Sequence, residues 1–335
     1  MKIIYASVGA CATGCRRLIY PLEALAKSFL DVEIEPLNLL DRSKIDYADI
    51  FVTQCAIGAK AMSFLYECRK KGKKIVIDYD DSFADLPEIK LKEFNMTSKE
   101  VTENWIRYLN LADLITVSCD PLKDRVESFT RTPVKVVPNL ILKSEYKESE
   151  GYTPDRSRIR ILYSCSESHI KDFKFIAPVL KRIGESYKKV TIVSHGNLNF
   201  SYFCPKYKGE TLHIENGPYE SYYEVLRGIQ PSILIAPLMP TIYNNCRSNL
   251  KYLQASLVKA AFVGNRLPPY RNVEHNKTGL LPFTRISWWW SLRRLVRDPK
   301  LLSNTSRAAH KDLKNYLLED NIELWNEAYR GILTT

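Results

Sequence analysis

Short apolar runs recur along the chain at intervals that fit one strand followed by one helix. KIIYAS, VEIEPL, DIFVTQ, KKIVID, LITVSC and VKVVPN read as strands in the first part, with helical patterns near 16–29, 57–71 and 100–111 between them. A parallel neighbour strand is reached only through a crossover connection, so this alternation predicts a parallel sheet covered by helices. The polar stretch KSEYKESEGYTPDRSR at 143–158 interrupts the pattern, which then restarts. IRILYS, a helix near 170–186, VTIVSH, TLHIEN, a helix near 219–228, SILIAPL, another helix and AAFVGN follow in order. The prediction is an α/β chain of two doubly wound, Rossmann-like domains, 1–150 and 151–315, whose strand ends face each other across a cleft. From about 299 to 332 the pattern is helical, with Leu301, Leu302, Leu313, Leu317, Leu318, Trp325 and Tyr329 as its apolar positions.

Length agrees with this division, since 335 residues exceed what one core usually organises. No apolar run approaches the roughly 18 residues of a membrane-spanning helix. Pro237 and Pro240 end one candidate, and Lys259 interrupts another. The opening MKIIYASVGACATGC resembles a secretory leader only superficially, because its apolar run is short and it reads better as strand, small-residue turn and helix start. Eight cysteines without paired metal spacing predict free thiols and a cytoplasmic chain. The formal charge of +11, from 49 Lys and Arg against 38 Asp and Glu, favours polyanionic company. Either nucleic acid or an anionic membrane surface would answer to it, and a merely solvated basic surface is the plain alternative. The charge is dispersed, with patches at RKKGKK (69–74) and RISWWWSLRRLVR (285–297).

Candidate chemistry clusters at predicted strand ends. YNNCRSNLKYLQ (243–254) follows SILIAPL and leads into a helical pattern in which Leu250, Leu253, Leu257 and Ala261 form the inner face. Read as one helix, it carries Arg247, Lys251 and Gln254 on a single stripe, with Asn244 and Asn245 as N-cap candidates. Two cations beside free backbone N–H groups make an anion site. IVIDYDDSFADLP (75–87) ends a strand with Asp78, Asp80 and Asp81. The D-x-D formed by Asp78 and Asp80 is too short a signal to assign a metal, and Asp80 and Asp81 read as carboxylates for acceptor hydrogen bonding or acid/base work. LYSCSESHIKDF (162–173) places Ser164, Ser166, Ser168 and His169 at a strand-to-helix turn suited to a phosphate. In ENGPYESYY (215–223), Tyr219 and Tyr222 can border a flat base, although packing is the more usual explanation for such tyrosines. The run WWW (288–290) cannot lie on one helical face, so at least one indole must reach the edge of the core or a ligand surface.

Together these segments resemble the GT-B glycosyltransferases, in particular the retaining group of family 4, over nearly the whole chain. The resemblance rests on IDYDDSFADLP, VKVVPNLI, YSCSESHIKDF, IAPLMPTIYNNCRSNLKYLQASLVKAAFVGN and NKTGLLPF followed by WSLRRLVRDPKLL, in that order. It implies a hexosyltransferase-like, retaining chemistry, with a UDP- or GDP-sugar as donor and no cofactor or metal required. It implies that Arg247 and Lys251 neutralise the donor diphosphate as charge develops on the leaving group. It also implies that Gly9, Gly14 and Arg16 approach the same phosphates, and that the segment 316–335 returns to the first domain. Ser166, His169, Tyr219, Asn245, Ser248 and Gln254 complete the expected donor-binding set. The family has a glutamate where this chain has Gln254, which hydrogen-bonds but carries no charge. For the acceptor, the charge ranks a hydroxymethylated pyrimidine of viral DNA first, with a lipid-linked or cell-surface glycan as the alternative. A non-catalytic nucleotide- or nucleic-acid-binding protein is the reading from another class.

Overall fold

The computed structural model describes residues 1–36, 42–56 and 58–334. Leu37, at the end of VEIEPL, and Ile57, in the second predicted helix, lie outside the described residues. Two compact units form. The first comprises residues 1–142, 245–248 and 317–335, and the second comprises residues 143–244 and 249–316.

In the first unit six parallel strands run in the order β2-β1-β3-β4-β5-β6. They are β1 (Lys2–Ala6), β2 (Glu33–Pro36), β3 (Ile50–Gln54), β4 (Lys74–Tyr79), β5 (Leu114–Val117) and β6 (Val134–Val136). The inner strands are apolar on both faces because helices cover both, and Ile50, Phe51, Val52, Ile75, Val76, Ile77 and Ile115 are all buried. The helix Ser98–Leu111 starts where it does because Thr97 and Glu100 cap each other's backbone N–H reciprocally. The last helix, Glu323–Gly331, buries Trp325 and Tyr329 in this unit, and Arg330 grips both oxygens of Asp31 at 2.7 Å.

In the second unit five parallel strands run in the order β11-β10-β7-β8-β9. They are β7 (Ile159–Cys165), β8 (Val190–Gly196), β9 (Glu210–Ile214), β10 (Ile233–Ala236) and β11 (Ala261–Gly264). The helix Ile170–Ser186 lays Phe173, Ile176, Ala177, Leu180 and Ile183 on the sheet at helical spacing. All eleven strands occupy segments that the apolar pattern marks.

The polar stretch at 143–158 is not simply a linker. Its first half is the helix Lys143–Glu150, which belongs to the second unit. Tyr146 is buried there and stacks on His310 at 5.2 Å, while the Ser149 hydroxyl lies 2.8 Å from His310 Nε2. Two anchors in a run of charges leave too weak a periodicity to announce a packed helix, so the change of unit falls at Leu142/Lys143 rather than at residue 150.

Each sheet has a point where strand order reverses, between β1 and β3 in the first and between β7 and β10 in the second. Connections leave such neighbouring strands toward opposite faces, and a crevice opens beyond their carboxyl ends. The candidate chemistry collects at these two points.

Candidate functional site

The first switch point is closed by a glycine turn. Gly9 has a φ of +103°, and a Cβ on Gly14 would lie 1.8 Å from the Gly9 carbonyl oxygen, so neither position accepts a side chain without rearrangement. Gln54, at the end of β3, donates to the Thr13 carbonyl at 3.1 Å and accepts from the Val8 N–H at 3.4 Å, tying the turn to the neighbouring strand. Cys55 follows with a φ of +47°, a left-handed conformation that costs a non-glycine residue energy and that recurs at functional sites.

Asp80, just past β4, faces this turn. It accepts from the Thr13 hydroxyl at 2.7 Å and from the Cys55 thiol at 3.6 Å. Burial first, then the neighbouring Asp81 and Asp78, raise its pKa to about 6, with Thr13 and Arg247 pulling the other way. The Cys55 thiol is pushed well above its usual range by burial and by Asp80, Asp78 and Asp81, so it stays a donor to Asp80. Asp81 is ion-paired with Arg247. Asp78, by contrast, is structural: Arg17 holds it with Nη2–Oδ2 at 2.7 Å and Nε–Oδ1 at 3.1 Å, and the Thr116 hydroxyl adds a bond of 2.7 Å. Arg17 also donates to the Val137 carbonyl and to Asn139, whose amide nitrogen donates to Ser248 Oγ at 2.8 Å.

Two expectations change here. Arg16 and Arg17 sit in a π-helical segment, Cys15–Ile19, whose wider turn carries both guanidiniums inward. Arg16 is buried and donates to the Leu140 carbonyl at 3.3 Å. Arg247 is not on a helix. Asn244 and Asn245 belong to the short helix Ile242–Asn245, the chain is non-helical at 246–249, and the next helix is Leu250–Leu257. The stripe expected to carry Arg247 with Lys251 and Gln254 is therefore broken at its first member. The Asn245 Oδ1 is buried without a hydrogen-bond partner.

The second switch point carries Lys251. Its ammonium donates to Ser164 Oγ at 3.3 Å and to the Tyr222 hydroxyl at 3.2 Å, and it stands 5.6 Å from the centre of the Tyr222 ring. No carboxylate pairs with it among the described residues. The hydroxyls pass their own protons on: Tyr222 donates to Gln254 Oε1 at 3.0 Å, and Ser164 Oγ lies 3.0 Å from His195 Nδ1. Burial, Lys251 and His213 lower the His195 pKa to about 4, so at neutral pH its ring is uncharged and can accept from Ser164. Ser164 and His195 are register partners on β7 and β8, which explains their proximity. Tyr219 stacks on Tyr222 with centroids 5.7 Å apart and planes 24° from parallel.

At the same end of the unit the buried Asp172 organises two loops. It lies 2.8 Å from His169 Nδ1, and it accepts from the Met239 N–H at 2.6 Å and from Asn244 Nδ2 at 3.1 Å. Ser166 is exposed and bonds to Ser168 at 2.8 Å. Ser164 belongs to the strand-to-helix turn that the sequence marks for a phosphate, whereas His195, Thr13 and Asp172 are absent from the residues singled out by sequence pattern. The register of the two strands is the signal that pairs Ser164 with His195, and it exists only in the folded sheet. Among the described residues no group of three or more His, Cys, Asp or Glu is placed to hold a metal ion.

No family model matches the chain, and no curated protein matches its sequence. Solved structures do match along its length. A glycosyltransferase from Rickettsia africae is 12% identical and superposes with a TM-score of 0.67, covering 99% of this chain and 98% of its own. Sucrose-phosphate synthase from Thermosynechococcus elongatus is 11% identical with a TM-score of 0.68, covering 99% of each chain. Anabaena HepE, solved in complex with UDP, is 12% identical with a TM-score of 0.65 over the full length of both chains. At such identities the likeness speaks to the fold, and the fold is GT-B: two Rossmann-like α/β domains with parallel sheets of six and five strands.

Proposed function

We propose that this protein is a glycosyltransferase that moves a sugar from a nucleotide-diphosphate sugar to an acceptor hydroxyl. The observation that carries the reading is Lys251, a cation whose partners among the described residues are neutral hydroxyls, at the switch point of a sheet whose fold is found in Anabaena HepE with UDP bound. A positive charge that the protein leaves uncompensated, with hydroxyls fixed around it, suits a ligand that brings negative charge.

In this reading the donor diphosphate lies against Lys251. As the bond between the sugar and the diphosphate breaks, negative charge grows on the leaving nucleotide, and a preorganised ammonium stabilises it without having to reorient. The resemblance assigns Arg247 the same role, in which a fixed positive charge serves the leaving diphosphate. Tyr219 and Tyr222 border the nucleoside, Gln254 orients Tyr222 and contacts the donor ribose or sugar, and Ser166, His169, Asn245 and Ser248 complete the donor contacts. Gly9 and Gly14 permit close backbone approach in the first unit. Asp80, with a pKa of about 6, is ionised at neutral pH and accepts the proton of the acceptor hydroxyl. Asp81 holds Arg247. The donor is a UDP- or GDP-sugar, and the stereochemical outcome assigned from the resemblance is retention.

The test is release of nucleotide diphosphate from a panel of nucleotide sugars, with a chelator present and absent. Parallel arms contain hydroxymethylated DNA, a lipid-linked glycan and a soluble glycan. Release that survives the chelator and depends on Lys251 supports the reading, and the arm that stimulates release identifies the acceptor class. Binding of the nucleotide without turnover of any donor would replace the transferase by a nucleotide-binding protein. The anomeric configuration of the product, read by NMR, checks retention.

A further inference from the structure

The helix Arg285–Arg297 turns Trp288, Leu292, Leu295 and Val296 into the core of the second unit. Its other side is neither core nor ordinary polar surface. Ile286 is 73% exposed and Trp290, one turn later, is 50% exposed, while Phe283, just before the Thr284 cap, is 53% exposed. These three line one shallow groove together with Arg266, His275 and Arg294. Three large apolar side chains gathered in one place, rather than scattered singly, mark a surface that meets something apolar.

The charge of the same face has one sign. The helix contains four arginines, Arg285, Arg293, Arg294 and Arg297, and no acidic residue. Among the described residues none of these, nor Arg266, has a carboxylate within ion-pair distance. Arg285 donates to the Phe175 carbonyl at 2.9 Å, Arg294 to Asn276 Oδ1 at 2.9 Å, and Arg293 lies over the rings of Trp289 and Trp290 at 5.5 and 5.1 Å. The one acid of the loop 265–284, Glu274, is held by Lys277 at 2.7 Å. Burial together with the cations Arg266 and Arg294 depresses the His275 pKa, as positively charged surroundings do.

We propose that the face formed by Phe283, Ile286, Trp290 and the surrounding arginines docks on an anionic lipid bilayer. Trp suits the boundary between headgroups and acyl chains, and Phe and Ile gain burial beneath it. The arginines meet lipid phosphates at the same depth, their stems lying along the apolar patch. A nucleic acid would use the cations and the indole but would gain nothing from Ile286, the most exposed of the three. The inference concerns the surface of the second unit and does not depend on the donor chemistry.

The full-length protein is sedimented with vesicles of phosphatidylcholine alone and of phosphatidylcholine mixed with phosphatidylglycerol, at rising salt. Binding is expected only to the anionic vesicles, to weaken with salt, and to fall on the order of tenfold for Ile286→Glu, a carboxylate at the centre of the patch. Ile286→Ser, which removes the apolar surface without adding charge, loses several-fold, and Arg293→Ala with Arg294→Ala flattens the salt dependence. Nucleotide diphosphate release in solution stays unchanged in the Ile286 variants, so failure here and failure of the transferase reading are distinguishable. Equal binding to neutral vesicles, no binding at all, or variants that bind like the wild type would overturn the proposal. So would salt-sensitive binding to duplex DNA in the absence of vesicle binding, which would give the face to nucleic acid.

Discussion

The two switch points handle charge in opposite ways. In the first unit the acids at the end of β4 and just past it already have partners inside the protein: Arg17 holds Asp78, Arg247 holds Asp81, and Thr13 and Cys55 cap Asp80. In the second unit the exceptional charge is a cation, and Ser164 and Tyr222 support Lys251 without neutralising it. A carboxyl enclosed among other acids becomes a better proton acceptor, whereas a cation among hydroxyls becomes a site for an anion. One fold, used twice in a chain, thus presents a carboxyl of raised pKa at one reversal of strand order and an ammonium among hydroxyls at the other, the base and the clamp of the proposed reading.

The largest effect should come from breaking the structural pair. Arg17→Met leaves Asp78 buried without its counter-ion and is expected to cost about 3–5 kcal/mol, read as a lower urea midpoint. A loss below about 1 kcal/mol would mean that Asp78 is not held as a buried ion pair. Next, Lys251→Met should lower nucleotide diphosphate release by roughly 100- to 1000-fold while leaving the urea midpoint nearly unchanged. Unaltered release would remove the clamp from the second unit and the contrast with it.

Asp80→Asn should reduce transfer by about 100-fold or more, with donor binding intact. The wild-type rate should climb as pH passes about 6, where this carboxyl ionises, and the variant should lose that limb. Stability runs the other way. Between pH 4 and 6, roughly, the folded protein keeps a proton that the unfolded chain has released, so this group's contribution falls as pH rises through that window, and urea melts of the Asn variant should lack the dependence. The smallest effect is expected from Gln254→Glu, which places a carboxylate beside Tyr222 and partly compensates Lys251. Affinity for nucleotide diphosphate, measured by calorimetry, should drop only a few-fold. A gain in affinity would show that a carboxylate at this position serves the ribose more than it weakens the clamp.

Much of the fold is legible in the sequence because a strand buried on both faces must be apolar throughout, as the inner strands β3, β4 and β5 nearly are, and such runs separated by helical spacing leave few topologies. The site is less legible. Asp80 and Lys251 announce themselves as charges at strand ends, but Arg16 and Arg247 satisfy the same rule and sit differently. A π-helical turn takes Arg16 into the core, and a non-helical break at 246–249 takes Arg247 off the stripe that Lys251 and Gln254 define. Neither irregularity has a local signature, since both follow from packing against partners distant in the chain.

What this sequence determined by itself is the alternation of strand and helix, the division into two parallel sheets, and the placement of charge and hydroxyl groups at strand ends. Those properties depend on neighbours within a few residues, so periodicity records them. The tertiary structure alone decided which of these groups meet. The Ser164–His195 register, the shelter that Thr13 and Cys55 give Asp80, and the lack of a carboxylate beside Lys251 are relations between segments tens of residues apart. No local pattern encodes such distances, because they are set when the sheets assemble and the helices close over them.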